Sequence, residues 1–282
     1  MLDVVGDDLV VVANTADDIE IYGAYVSPDP DLCAFWLADR IDERGWGLEG
    51  DTFHAMEQLR ELGVDVWFNL GDRDLAIGLR RAQRLREGAT LTAAIAELTS
   101  ALGLGARVLP MTDDPVRTRV LAHGTWVPFQ EFMIRQHAAG PVDGFELQGI
   151  QAASAPGVVL EAIASARAIV LGPSNPIVSV RPILSVGGMA EALRAASSPV
   201  VAVSPIVGGQ VLKGPTGAFM DWADLPVSAA GVVAAYDGVL DGIVADESVD
   251  GLPALETDTR MDDAAARTRL AEDVLRFAEG LR

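Results

Sequence analysis

The chain has one cysteine, Cys33, and three scattered histidines, His54, His123 and His137. A lone cysteine excludes an internal disulfide and any cysteine-rich zinc or iron–sulfur site, and the dispersed histidines argue against a histidine metal cage. Lysine is nearly absent: Lys213 stands alone among 21 basic residues. Acids number 41, for a formal net charge of -20. A chain this acidic does not grip a phosphate backbone by bulk electrostatics, which argues against nucleic acid as a partner, and anionic membrane surfaces are disfavoured for the same reason. No run approaches the ~20 apolar residues of a membrane span. No charged-then-apolar leader opens the chain, so a cytoplasmic location is expected. Several catalytic signatures are missing as well: the G-x-G-x-x-G fingerprint after a strand, the phosphate loop, the G-x-S-x-G elbow and H-E-x-x-H.

What is present is a large core. Half of the 282 residues are hydrophobic, which suits one α/β domain over residues 1–282 rather than a disordered chain. Four short apolar runs, Leu9 to Ala13, Ala168 to Leu171, Val200 to Val203 and Gly242 to Ala245, each end in a polar or Gly/Pro-rich loop. They are too continuous to be half exposed and read as buried parallel strands. Helical patterns lie between them, at Asp51 to Leu62, Pro156 to Ser165, Gly187 to Ala196 and Asp262 to Leu281. Residues 75–103 read as two helices broken at Gly88, a candidate helical insert. The expected fold is a Rossmann-like, mostly parallel sheet with that small insert. Met1 stands just ahead of the first strand, with no Gly-rich strand-turn-helix unit before it, so either the fold begins unusually or an amino-terminal unit is expected to be missing.

Ligands in open α/β sheets sit where strands end at their carboxyl side. The loop after the first run carries Asn14, Thr15, Asp17 and Asp18, and Ser27-Pro28-Asp29-Pro30-Asp31 follows closely. Carboxylates on loops beside a strand end suit Mg²⁺, which keeps waters and bridges to substrate phosphates. The competing use of these aspartates is turn and cap formation. Gly71-Asp72-Arg73-Asp74 sets a fixed cation between two acids. That arginine can clamp a phosphate or carboxylate, or form a surface ion pair. Gly172-Pro173-Ser174-Asn175-Pro176 can present N–H groups and side-chain donors to a nucleotide, or be a Pro-fixed turn. Ser204 to Gly209 and Lys213 to Gly217 add Gly-rich backbone. Asp113 and Asp114, after Leu109-Pro110-Met111-Thr112, read on their own as a turn.

Asn14-Thr15-x-Asp17-Asp18, Ser27-Pro28-Asp29-x-Asp31, Gly50-Asp51-Thr52-Phe53, Gly71-Asp72-Arg73-Asp74, Leu109 to Asp114, Gly172 to Pro176 and Ser204 to Gly208 occur in that order. In this the chain resembles the 2-phospho-L-lactate transferases, the CofD family, which build the deazaflavin coenzyme F420. The resemblance runs from about Leu9 to Glu247. It implies a homodimeric transferase that takes a guanosine diphosphate-activated lactate or enolpyruvate. The phospho-acid would pass to the deazaflavin FO, with GMP leaving and Mg²⁺ required. It further implies Asp17, Asp18 and Arg73 as catalytic residues and Asp17, Asp29 and Asp31 around the metal. Asn14, Thr15, Ser27, Asp72, Asp113, Asp114, Gly172, Ser174, Asn175, Ser204 and Gly208 would bind substrate. The family's amino-terminal Gly-rich strand and loop have no counterpart here, and Ala16 and Pro30 replace the Gly and Leu of many relatives. A non-catalytic, sugar-nucleotide-binding regulator and a different Mg²⁺-dependent transferase on the same core are the alternatives.

Overall fold

The computed structural model describes residues 1–212, 214–236 and 238–281. The expectation at Lys213 lies outside the described residues. The four apolar runs form strands at Val10–Ala13, Ile169–Leu171, Val200–Val203 and Gly242–Ala245. The last three join Ala254–Glu256 in a parallel sheet, in the order 254–256, 242–245, 200–203, 169–171. Val10–Ala13 pairs in parallel with Arg107–Pro110. Val10 and Val12 share an apolar cluster with Ile169 and Leu171.

The two central strands carry no polar residue because both of their faces are covered. Val201, Val203 and Val244 face the terminal helix Ala264–Gly280 through Leu270, Val274 and Ala278. The alternate residues Ala202, Ile243 and Ala245 face the largest core, with Phe132, Phe219 and Tyr236. That period-two split follows from the pleat. Asp263 caps the terminal helix by accepting from the Ala266 N–H at 2.8 Å. Among the described residues no helix is long and apolar enough to cross a membrane.

Antiparallel additions were not legible as strands, among them the short pair Ile206–Val207 and Gln210–Val211. Ile19–Ile21 and Ala24–Val26 form a hairpin whose turn residues, Tyr22 and Gly23, both have positive φ. Arg117–Ala122 pairs with Thr125–Pro128 on one side and Gly144–Gln148 on the other. The 75–103 region holds helices Asp72–Arg86 and Leu91–Ala101. They share a core with the first strands: Leu91 and Ile95 pack with Ala13, Tyr25, Ala34 and Val108. Gly78 permits this approach, because a Cβ there would stand 3.0 Å from Ala24 Cβ and 3.2 Å from the Tyr25 carbonyl oxygen.

The capping of two helices is exchanged. Asp51 does not cap its own downstream helix but accepts from the Arg73 N–H at 3.0 Å, at the start of Asp72–Arg86. Asp72 in turn accepts from the His54 and Ala55 N–H groups at 3.1 and 2.9 Å, at the start of His54–Glu61. Each carboxylate satisfies orphan donors on the other's helix, so two strings distant in sequence are locked together.

Candidate active site

The site begins with the chain's refusal to continue as a strand after Ala13. Asn14 makes an Asx turn, its Oδ1 accepting from the Ala16 N–H at 2.9 Å. Its Nδ2 donates to Asp17 Oδ2 at 3.0 Å and to the Val178 carbonyl at 3.4 Å. The loops after Ala13 and Leu171 are thereby tied together. Two bonds to its carbonyls fix the turn from the other side: the Thr118 backbone N–H donates to the Ala16 carbonyl at 2.7 Å, and the Gln130 side-chain Nε2 to the Asp17 carbonyl at 3.1 Å.

Asp17 and Asp18 are therefore held inside the protein, 7 % and 3 % exposed. Ser27 Oγ donates to Asp18 Oδ1 at 2.8 Å. Asp17 Oδ1, Asp18 Oδ2 and the Thr15 hydroxyl are buried with no partner among the described residues. Burial, reinforced by the charge of Asp29, pushes Asp17 well above the usual carboxylate range. Asp18 is pushed up to about 7 by burial, against the pull of Arg117, Ser27 and Arg81. Asp29 rises to about 6 through burial. Crowded, desolvated carboxylates of this kind are a frequent mark of functional sites.

Asp31 is engaged elsewhere. Arg81, 2 % exposed, grips both of its oxygens and also donates to the Tyr25 carbonyl at 3.0 Å. Burial raises the Asp31 carboxyl even so, with Arg81 pulling it back. Among the described residues no group of three or more His, Cys, Asp or Glu side chains converges for a metal. The oxygens that stand ready are those of Asp17 and Asp18, with Asp29 beside them.

A cavity of about 180 Å³ adjoins the cluster. Val26, Pro28, Asp31 and Leu32 line it, whereas Ser27 and Asp29 between them serve the carboxylates. Its walls are aromatic, with Phe35, Trp46, Phe53 and Phe68, and its polar groups are Arg44, Asn69, Asp51 and Asp74. Trp46 is 66 % exposed. Arg44 lies over the Phe53 ring at 5.9 Å and pairs with Asp42.

The other expected residues are placed as follows. Asp72 serves as the cap described above, and exposed Arg73 donates to the Glu49 carbonyl at 3.1 Å. Asp113 accepts from the Thr92 N–H at 2.7 Å, capping Leu91–Ala101. Asp114 accepts from the Ser154 N–H at 3.1 Å. Gly172 and Ser174 are exposed after their strand, and Asn175 caps the following turn through the Ile177 N–H at 2.9 Å while its Nδ2 stays buried and unpartnered. Ser204 is buried in its own turn, and Gly208 donates to Asp246. The structure thus gathers Asn14, Thr15, Asp17, Asp18, Ser27 and Asp29, with the Asn175 loop alongside. Ser204 and Gly208 sit beyond the 200–203 strand.

Sequence reasoning missed Arg81, Arg117 and Tyr25, and named Asp74 in its string without giving it a role of its own. Arg117 Nη2 donates to the Tyr25 hydroxyl at 3.1 Å and lies over its ring at 5.4 Å. A signal for two of these existed: Asp74, Gly78 and Arg81 recur at one helical face, where the glycine marks close packing.

A family model described as 2-phospho-L-lactate transferase CofD matches residues 1–274. The 2-phospho-L-lactate transferase of Methanococcoides burtonii is 42% identical over 242 residues, covering 86% of this chain and 78% of that protein. That of Methanopyrus kandleri is 37% identical over 284 residues, covering 97% and 91%. The phosphoenolpyruvate transferase of Kitasatospora aureofaciens is 38% identical over 300 residues, covering 98% and 91%. Among solved structures, a Bacillus halodurans protein of the UPF0052 family superposes with a TM-score of 0.53 at 18% identity, over 93% of this chain and 81% of that one. That last likeness bears on the fold alone.

Proposed function

The chain belongs to the 2-phospho-L-lactate transferase CofD family, and from that premise we propose that it transfers a phospho-three-carbon acid from a guanosine diphosphate-activated lactate or enolpyruvate to the deazaflavin FO. The observation that carries this reading is the carboxylate cluster: buried, unpartnered oxygens of Asp17 and Asp18 beside Asp29, on a segment whose alternate residues Val26, Pro28 and Asp31 line an aromatic-walled cavity. Phosphoryl transfer asks a protein for positioning and charge management and needs no covalent nucleophile. The lack of a Ser-His or Cys-His pair is in keeping with it.

The donor set suits Mg²⁺. Mg²⁺ takes one or two carboxylates and completes its shell with water and substrate phosphate. Asp17 and Asp29, each costly to keep ionised where it stands, would hold it. Asp31 supports the site from behind by holding Arg81. A divalent ion there supplies charge neutralisation at the diphosphate. Asp18, with one oxygen fixed by Ser27 and the other uncommitted, is placed to accept the proton of the attacking hydroxyl. The new bond is between the ribityl oxygen and the phosphorus that carries the acid, the broken bond is between that phosphorus and the GMP oxygen, and the proton passes to Asp18. The flat acceptor ring fits the cavity walled by Trp46, Phe53 and Phe68. The guanosine part falls to the exposed Gly172–Ser174 loop and Asn175, and Arg73 faces one of the substrates from the cavity's edge. A homodimer belongs to the same proposal, and the solution mass measures it.

The test is direct. Protein, activated acid, FO and Mg²⁺ are incubated together, and GMP and phospho-FO are followed by chromatography. Stoichiometric appearance of both is expected. Guanine-nucleotide binding without any GMP release from the activated acid would sink the transferase reading in favour of a binding module.

A further inference from the structure

The cavity beside the carboxylate cluster is not uniformly apolar. Asp74 reaches into it from the first turn of helix Asp72–Arg86. Its Oδ1 is buried with no hydrogen-bond partner. Its Oδ2 lies against Gly47, where a Cβ would stand 2.9 Å away. Gly47 holds a positive φ of 76° on the loop that also presents Trp46. The carboxylate is thus wedged between a helix and a loop, among aromatic rings, and its neighbours do little to satisfy it. Asp51, the nearest acid on the cavity wall, spends its oxygens on the Arg73 and Asp74 N–H groups. Arg44, the cation on the wall, is paired with Asp42. A buried acceptor without a donor costs free energy unless the occupant supplies one.

Resting on the reading of this cavity as the acceptor's site, we propose that Asp74 is the specificity-determining residue for the acceptor, accepting a hydrogen bond from an N–H or O–H on the edge of its flat ring. A deazaflavin of this class carries such groups at two edges, an imide N–H flanked by carbonyls and a phenolic O–H. Ring faces are read by Trp46, Phe53 and Phe68, which tolerate any flat apolar body. Of the polar groups on the wall, Asp74 is the one with a buried oxygen that no donor meets. Rings of the same outline without a donor at that edge leave Asp74 unsatisfied and are rejected, by the same logic through which polar sites discriminate more sharply than apolar ones.

The experiment uses the full chain and reads binding, so it does not depend on turnover. FO and two analogues, methylated at the imide nitrogen or at the phenolic oxygen, are titrated against wild type, Asp74→Ala and Asp74→Asn by ligand fluorescence. At pH 8, where Asp74 is ionised, wild type is expected to bind one analogue about 10- to 100-fold more weakly than FO, the range of a hydrogen bond to a charged group. Asp74→Ala is expected to lose that preference to within about threefold, and Asp74→Asn, which keeps an acceptor oxygen, to retain part of it. Equal binding of all three ligands by wild type, or an intact preference in Asp74→Ala, overturns the assignment. So does failure of wild type to bind any of them. Release of GMP by the same wild-type sample reports separately on the transferase reading, so the two can fail independently.

Discussion

Replacing Arg81 by Met tests how the acidic loop is held. Arg81 grips both oxygens of Asp31 and donates to the Tyr25 carbonyl at 3.0 Å while being 2 % exposed. Asp31 is itself 14% exposed at its side chain. Methionine keeps the length and apolar stem but strands Asp31 as a buried charge and leaves a carbonyl unmet. Breaking one side of such a pair typically costs about 3–5 kcal/mol. Unfolding entropy of about 2.1 cal/mol/K per residue gives roughly 0.6 kcal/mol/K for 282 residues. The melting temperature should therefore fall by roughly 5–8 °C, read by calorimetry or circular dichroism. The double variant Arg81→Met/Asp31→Leu removes both charges and should recover at least half of the loss. Catalysis should fall in both, since the Ser27–Asp31 loop loses its anchor. A drop below about 1 kcal/mol for the single variant, or a double variant no better than the single, would refute the claim that stranding Asp31 is what costs stability.

Asp17→Asn and Asp29→Asn should each lower turnover by at least about 100-fold, and should erase any rise in melting temperature that Mg²⁺ gives wild type; a Mg²⁺ shift equal to wild type would remove those carboxylates from the metal. Asp74, raised to about 7 mainly by burial and then by Asp51, Asp31 and Asp42, is a carboxylate that folding keeps protonated beyond its unfolded range. Its ionisation cost is absent below about pH 4, grows as pH rises toward 7 and is full above that, so Asp74→Asn should stabilise by about 2–4 kcal/mol at pH 8 and by little at pH 4. A melting shift independent of pH would contradict this. Gly71→Ala places a Cβ 2.1 Å from Asp51 Oδ2 and should cost at least the ~1 kcal/mol of a lost helix cap, with denaturant midpoints as the measure. Arg73→Ala should raise the KM of one substrate several-fold; unchanged kinetics would leave Arg73 as a surface group bonded to Glu49.

The parallel strands were legible because burial on both faces leaves an unbroken apolar run, as in Val200–Val203 and Gly242–Ala245. The terminal helix was legible from Asp262 and the break between two helices at Gly88, and the structure sets the starts at the caps Asp263 and Thr90. What escaped was every feature set by partners far along the chain. The Ile19–Val26 hairpin has strands of three residues, too short for alternation to register. Asp51 could be read as a cap, but the helix it caps begins some twenty residues later, and only the fold brings the two together. Asp29 and Asp31 look equivalent in the sequence. The structure separates them, because Gly78 lets a helix close on Tyr25 and delivers Arg81 to one of the two. The Asn14 to Asp18 loop could be read from the sequence either as a carboxylate site or as a turn, and the structure shows both the Asx turn of Asn14 and the burial of Asp17 and Asp18. Its coupling to the 175–180 turn through Val178 was not legible.

One face of helix Asp72–Arg86 links the cavity to the loop that ends in Asp31. Asp74, Gly78 and Arg81 lie on it in order, with Asp74 in the cavity, Gly78 against the hairpin and Arg81 on the loop that ends in Asp31. Seven residues separate Asp74 from Arg81, about 10 Å along the axis. An acceptor whose ring is held at one end and whose alcohol must reach the carboxylates needs a rigid spacing of that order. A helix supplies it better than a loop, because its length does not fluctuate with side-chain packing. A side chain at Gly78 would push the helix off Tyr25 and move Asp74 and Arg81 together. Gly78→Ala should therefore weaken acceptor binding and loosen the Asp31 loop at once, whereas a site assembled from independent loops would lose one and keep the other.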